Sequence, residues 1–441
     1  MKEKIKISPY IPIILSFLGL IIIGAILLVL PISYKNGHLS FIDALFMSTS
    51  SVCVTGLSVV KNVGLEMTIF GKIVMAILIE IGGLSFLTVA GFIMFITKQR
   101  VSLKASFLLK ENINQESVKD ITKSLRNIVL VALIIEGAGA ILCFIALLIG
   151  YRDNYSFLEI VGISIFHTIS SFNNAGFDIF GYETSFLNFN TDIFLNVITM
   201  VLIVLGGLSS SVILGLIRIR KWKRQTLNSK IILSTSLFLL VFGFVLIYLT
   251  SLKTDLGLLN SLFLSVSSRT AGFSPFDLNL LPNGTIAIII ILMFIGASPC
   301  STGGGIKTTT VFVIFAAIKS FITGKDASAF NRRIKKDTIS KAFTLVSLAV
   351  TAIFLMSFLL SLFELDKGFK ELLFETFSAF ATVGLSFGIT PYLSLGGKII
   401  IVLTMFMGRV GLLSLVNIIN TRGDFDYPQS YHYIEENVLI G

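Results

Sequence analysis

Apolar residues fall along the chain in a long, short, long rhythm that recurs four times. Long runs cover about 10–34, 69–97, 127–150, 191–219, 231–252, 285–320, 342–365 and 397–420. Each is long enough to carry a helix through a hydrocarbon core of about 30 Å. Inside each pair of long runs lies a shorter one, near 41–54, 157–173, 257–269 and 371–381. A helix of about 14 residues reaches only about 21 Å, so the short runs predict helices that enter a membrane and stop. The pattern predicts an all-α polytopic membrane protein with eight transmembrane spans and four re-entrant helices.

Each short run ends in a variant of one phrase: FMSTSSVCVTGLS from Phe46, FHTISSFNNAGFD from Phe166, LFLSVSSRTAGFS from Leu262 and FETFSAFATVGLS from Phe374. Aligned on Gly56, Gly176, Gly272 and Gly384, each phrase has Phe or Leu ten residues upstream and Leu or Phe directly after the glycine. The intervals of 120, 96 and 112 residues divide the chain into four units of similar length, the signature of an internal repeat. The expected boundaries are 1–110, 111–225, 226–330 and 331–425, followed by a tail over 426–441.

A unit that crosses twice returns to its starting side, so four such units share one orientation and can surround an axis normal to the membrane. The short helices would aim their partly negative C-terminal ends at that axis, which favours a cation. The residues beyond them form irregular backbone at membrane depth, tolerated only against protein or a water-filled path. Glycine accepts the positive φ needed to turn successive carbonyls inward. The candidate ion-binding segments are Val54-Thr55-Gly56, Asn174-Ala175-Gly176, Thr270-Ala271-Gly272 and Thr382-Val383-Gly384, whose backbone carbonyls would replace a hydration shell. Thr382-Val383-Gly384 matches the opening of the potassium-channel TVGYG filter.

Composition agrees: 54% hydrophobic residues, 14% charged residues and a mean hydropathy of +0.90 leave no room for a soluble domain of any size. The run after MKEKIK is too long for a signal-peptide h-region and lacks a small-residue cleavage site, so it is expected to be a retained span. Of 35 Lys and Arg, 24 cluster on the N-terminal side, in 1–6, 98–126, 218–230, 319–341 and at Arg422. The positive-inside rule makes that side, and both termini, cytoplasmic. The same rule accounts for RIRKWKR and for the net charge of +10 without nucleic acid. Enzyme chemistry finds no support. There is no HExxH or GxSxG, and His38, His167 and His432 form no constellation. GGGIKTTT lacks the glycine directly before Lys307 that a phosphate-binding loop requires, and it lies inside a span.

A second glycine row, Gly82, Gly206, Gly296 and Gly408, follows the first by 26, 30, 24 and 24 residues. In the third unit it runs into GASPCSTGGGIKTTT, where Pro299 and Gly303-Gly304-Gly305 break any helix. In the fourth, Arg409 stands where the others have Gly83, Gly207 and Ala297. An arginine at membrane depth is costly and marks function by default. Glu80, Glu136, Lys307 and Arg269 are the other ionisable residues in apolar context, with capping or pairing inside the protein the leading expectation. Arg269 is expected to brace the third glycine segment.

The four glycine phrases, the RTAGF of the third unit, the glycine-rich break and Arg409 together resemble the TrkH/KtrB superfamily of bacterial potassium-uptake proteins, of the KtrB type, over essentially the whole chain. The lack of an additional N-terminal span pair favours KtrB over TrkH. The resemblance implies four tandem span, pore-loop, span repeats with pseudo-fourfold symmetry around a central pore, and potassium as the ion. It also implies that the broken third-unit span forms an intramembrane loop gating the pore. Carried onto this sequence, the gate is Ser301, Thr302, Gly303, Gly304, Gly305 and Lys307, with Arg409 contacting it. It further implies a homodimer in the bacterial cell membrane, seated on a cytosolic ring of nucleotide-binding KtrA-type RCK subunits, with no organic cofactor on this chain. Sodium coupling is compatible with this reading and is left open. The rival is an alternating-access cation symporter; such carriers often rest on inverted repeats, whereas this chain shows parallel units.

Overall fold

The computed structural model describes residues 10–35, 37–84, 121–181, 185–219, 221–412, 414 and 416. The expected span residues 85–97 and 417–420, most of the basic stretch 98–126 and the tail 426–441 lie outside them. Among the described residues the regular structure is helical apart from one hairpin, which pairs Ser328–Ala329 with Arg332–Arg333.

Fourteen α-helices of nine residues or more carry the architecture among the described residues. They are α1 (Tyr10–Val29), α2 (Phe41–Val52), α3 (Ile69–Leu84), α4 (Ile121–Gly150), α5 (Phe157–Phe172), α6 (Ile193–Gly207) and α7 (Ser210–Arg218). They continue as α8 (Leu227–Thr250), α9 (Leu258–Ser267), α10 (Asn283–Phe294), α11 (Thr308–Thr323), α12 (Lys336–Phe363), α13 (Phe369–Ala381) and α14 (Leu395–Val410). The short helices α2, α5, α9 and α13 fall within three residues of the runs read from the sequence. Local chemistry fixes several starts. Ser40 caps α2 through the Asp43 amide at 3.1 Å, and Ser156 with Glu159 forms a reciprocal capping box on α5. Asp192, Thr226 and Ser394 cap α6, α8 and α14.

Among the described residues three helices are long and apolar enough to cross a membrane: Leu125–Gly150, Leu227–Thr250 and Lys336–Phe363. A fourth candidate is α6 continued by Val212–Arg218 across a 97° bend. That bend departs from the single run expected over 191–219. The Gly206 carbonyl accepts from the Thr302 amide at 3.3 Å and the Gly207 carbonyl from the Ser298 amide at 3.2 Å. Both carbonyls are thus taken by donors some ninety residues away rather than by the next helical turn.

Helices pack in triangles: α1, α2 and α3; α4, α5 and α6; α8, α9 and α10; α12, α13 and α14. Each triangle has a short helix at its inner corner. Each triangle then meets the next in one way, α3 on α5, α6 on α9, α10 on α13, and α14 back on α2. A salt bridge of 2.6 Å between Asp43 and Lys398 accompanies that last contact. The short helices are largely buried, whereas Ile22, Ile26, Leu237, Phe238, Phe354 and Leu355 on the long ones are exposed. Apolar residues facing outward over whole helices are what a lipid solvent selects.

Candidate functional site

The four glycine segments come together at the inner ends of α2, α5, α9 and α13. In each, the residue two before the glycine takes a left-handed conformation: Val54 (φ 57°), Asn174 (φ 60°), Thr270 (φ 82°) and Thr382 (φ 51°). The glycines do so again, at φ 94°, 71°, 82° and 94° for Gly56, Gly176, Gly272 and Gly384. A non-glycine residue in that region costs about 1–3 kcal/mol and persists only where its surroundings impose it. Here the short helices do so through their serines. The amides of Thr55, Ala175 and Val383 donate to the carbonyls of Ser50, Ser170 and Ser378 at 2.8, 2.7 and 2.9 Å. The Ser50 and Ser378 hydroxyls also receive the Gly56 and Gly384 amides, at 3.1 and 3.0 Å. The third segment is held one residue differently, with both Ala271 and Gly272 donating to Ser267.

The four segments form a closed ring. A Cβ placed on Gly56 would lie 2.5 Å from the Ala175 carbonyl oxygen, one on Gly176 2.6 Å from Ala271 O, and one on Gly272 2.1 Å from Val383 O. One on Gly384 would lie 2.2 Å from Thr55 O, so the fourth contact returns to the first segment. Of the twelve residues in the segments, the eight non-glycines are buried and only the four glycines are partly open.

The second glycine row exists for close approach. A Cβ on Gly82, Gly206 or Gly408 would fall 2.1, 1.6 or 1.8 Å from the carbonyl oxygens of Val52, Phe172 and Phe380. Each of these is the carbonyl four residues before a ring glycine. In the third unit Gly296 meets Gly304 O instead, at 2.2 Å from the built Cβ, because a loop intervenes.

That loop is the break between α10 and α11. The chain leaves at Ile295 and returns beside it at Ile306, with Ile306 N donating to Phe294 O at 3.2 Å and Thr308 N to Ala297 O at 3.3 Å. Its glycines lie against the ring: a Cβ on Gly303 would sit 2.1 Å from Thr270 Oγ1, and one on Gly304 2.2 Å from Thr382 Oγ1. The Lys307 ammonium turns back onto the Gly303 and Gly304 carbonyls at 2.7 and 3.2 Å, and Ser301 Oγ donates to Ser298 O at 2.6 Å. Thr302 reaches the second unit, its hydroxyl donating to Gly206 O at 3.0 Å and Phe172 O at 3.3 Å. Arg409 donates to the Thr302 carbonyl with one guanidinium nitrogen, and to the Gly82 and Gly83 carbonyls with the other. One side chain of the fourth unit thereby ties the third unit's loop to the first unit.

The glycine segments, the third unit's loop and Arg409 thus lie together, while the other ionisable residues singled out from the sequence do not. Arg269 bonds outward, to the Ser236 carbonyl on α8 at 2.9 Å. Glu80 and Glu136 both accept from the Asn173 amide, at 2.7 and 3.0 Å. The sequence reading missed Asn173. It also missed the contact at 3.1 Å between the Asn174 amide and the Thr270 hydroxyl, which joins the second and third segments. The available signal was the pair of asparagines in FNNAG, where the other phrases have no amide.

Several known proteins share this chain's pattern. It is 35% identical to the potassium/sodium uptake protein NtpJ of Enterococcus hirae, covering 100% of this chain and 99% of that protein. It is 36% identical to the Ktr system potassium uptake protein B of Bacillus subtilis, over 93% of each. The fold matches the crystal structure of the potassium transporter TrkH from Vibrio parahaemolyticus, with a TM-score of 0.74 at 16% identity, over 95% of this chain and 86% of that one. The TrkH profile, described as a cation transport protein, aligns with residues 6–420. The chain is a membrane protein belonging to the TrkH family of cation transport proteins, a family of transporters rather than enzymes.

Proposed function

We propose that this protein is the potassium-translocating membrane subunit of a bacterial uptake system, with the four glycine segments as its selectivity filter. The observation that carries the reading is the closed ring, in which each glycine lies against the carbonyl before the next unit's glycine and only the glycines are open. Such a ring offers backbone carbonyls in place of a cation's water shell. The ends of four short helices add partial negative charge around it. The four units then form a pseudo-fourfold pore of eight spans and four re-entrant helices. The basic clusters favour cytoplasmic termini. Closure of all four contacts at once counts against a carrier that would part them to alternate access.

The loop over 295–307 serves as the gate on the cytoplasmic side of the filter, with Ser301, Thr302, Gly303, Gly304, Gly305 and Lys307 lying across the path and Arg409 latching it. A homodimer on a cytosolic nucleotide-binding ring would work by moving this loop. The name of the Enterococcus relative couples potassium with sodium, so the test is run with and without sodium. Uptake of rubidium or potassium is measured in bacteria lacking their own uptake systems, with the regulatory partner co-expressed. Rescue by the wild type is expected, with Gly384→Ser losing preference for potassium over sodium before it loses transport. No rescue with the protein present in the membrane overturns the function, and unchanged selectivity in serine variants of all four glycines overturns the filter.

A further inference from the structure

Outside the ring, between α6 and α8, the surface opens into a cavity of about 160 Å³. Its walls are mostly apolar, with Val204 and Leu208 on one side and Leu233, Leu237 and Leu240 on the other, and its polar side chains are those of Ser236 and Arg269. Leu237 is 65% exposed, so the cavity faces lipid.

The charge of Arg269 is not matched by this cavity's own residues, which offer it only the neutral Ser236. Among the described residues no carboxylate lies within ion-pair distance of it. Nη1 donates to Ser236 O at 2.9 Å, while Nη2 lies 3.4 Å from Ser236 Oγ and Nε is buried with no partner. Nε and Nη2 form one edge of the guanidinium, the edge that grips a carboxylate with two parallel hydrogen bonds. The C-terminal end of α9 beside Arg269 offsets at most about half of its charge. A cation in largely apolar surroundings, with Nε unpartnered and Nη2 held only by a long bond to a neutral hydroxyl, calls for an anion.

Depth selects which anion. Ser236 is nine residues past the start of α8, which at about 1.5 Å per residue is about 14 Å along a helix crossing a core of about 30 Å. A phospholipid phosphate is held at the membrane interface by its glycerol and headgroup. A single-chain acid has no such anchor and can place its head at mid-depth. We propose that the cavity binds a long-chain fatty acid, its carboxylate on the Nε and Nη2 edge of Arg269 and its chain along Leu233, Leu237 and Leu240. The site abuts Thr270 and is independent of the transport reading, since its test does not read transport.

The test is photolabelling of the full chain in nanodiscs with a diazirine-bearing palmitate, located by peptide mass spectrometry. Labelling is expected within 203–208 and 233–240. It should fall about tenfold or more in Arg269→Gln, the loss of one charge-assisted pair. Arg269→Lys, which keeps the charge without the fork, and Leu240→Trp, which fills the cavity and leaves Arg269 in place, should also reduce it. A diazirine phosphatidylcholine of the same chain length should label lipid-facing helices generally, with no dependence on Arg269. Palmitate labelling that ignores all three variants overturns the proposal. So does a phosphatidylcholine or phosphatidylglycerol probe that labels these segments with the same dependence on Arg269.

Discussion

Replacing Arg409 by glutamine should raise maximal potassium flux while leaving apparent affinity nearly unchanged. The loop has two sets of anchors. Toward the second unit, Thr302 and Ser298 make neutral hydrogen bonds of 3.0–3.3 Å to Gly206, Gly207 and Phe172. Toward the fourth and first units it has Arg409, which also holds the Gly82 and Gly83 carbonyls. A hydrogen bond from a charged donor contributes about 1.5–3 kcal/mol, and a neutral one about 1. Glutamine can keep one neutral bond to the Thr302 carbonyl, so the closed loop loses about 0.5–2 kcal/mol, a factor of about 2–30 in the open population. Alanine loses the full bond and should exceed glutamine. Deleting Ser301 to Gly305 should exceed both. If the ring is the proposed filter, removing the positive charge beside it would act in the same direction, because that charge would oppose cations leaving the ring. The assay is the initial rate of rubidium uptake against external potassium, normalised to protein in the membrane. If maximal rate and affinity fall in step, the loop is part of the ion-binding site and the latch argument is wrong. Flux unchanged in the alanine variant also refutes it.

Other expectations follow from close contacts. Gly206→Ala would put a Cβ 1.6 Å from Phe172 O and should lower the midpoint of thermal unfolding sharply. Gly137→Ala, with nothing within 4 Å, should be neutral or stabilise by about 0.5–1 kcal/mol; equal effects of the two on melting in detergent would contradict the packing role of the second glycine row. The Asp43–Lys398 pair is partly exposed, at 25% and 18% of its side-chain surface, so a double-mutant cycle with Asn and Met should return a coupling of about 1 kcal/mol or less. A coupling several times larger would mean that this pair, and not helix packing, closes α14 onto α2.

How far the sequence carried depends on where each constraint acts. The short helices were legible because their lengths set against the bilayer leave no choice, and the glycine segments because positive φ at one position per unit needs glycine. The purpose of the second glycine row was not legible. Gly82, Gly206 and Gly408 were visible, but the carbonyls they admit, of Val52, Phe172 and Phe380, are brought near only by folding. The bend at Leu208 was hidden for a related reason, since Gly206-Gly207 permits a helix and it is Ser298 and Thr302 that take its carbonyls. Asn173 joins Glu80 and Glu136 from three separate segments, a grouping no local pattern announces.

The ring carries one more consequence of this kind. Each glycine contacts the unit after its own, so a side chain added at Gly272 displaces the Val383 carbonyl of the fourth segment, and one at Gly384 displaces Thr55 in the first. Damage to one segment is therefore already damage to the next. Neighbouring residues that share a contact depart from additivity by about 0.5–3 kcal/mol, whereas distant ones add to within about 0.5. Serine at Gly272 and Gly384 together should thus cost less selectivity than the two single losses summed. The pair at Gly56 and Gly272, on opposite sides of the ring, should add. If adjacent and opposite pairs behave alike in competition between potassium and sodium uptake, the four segments act independently and the contacts that close the ring are not what selects the ion.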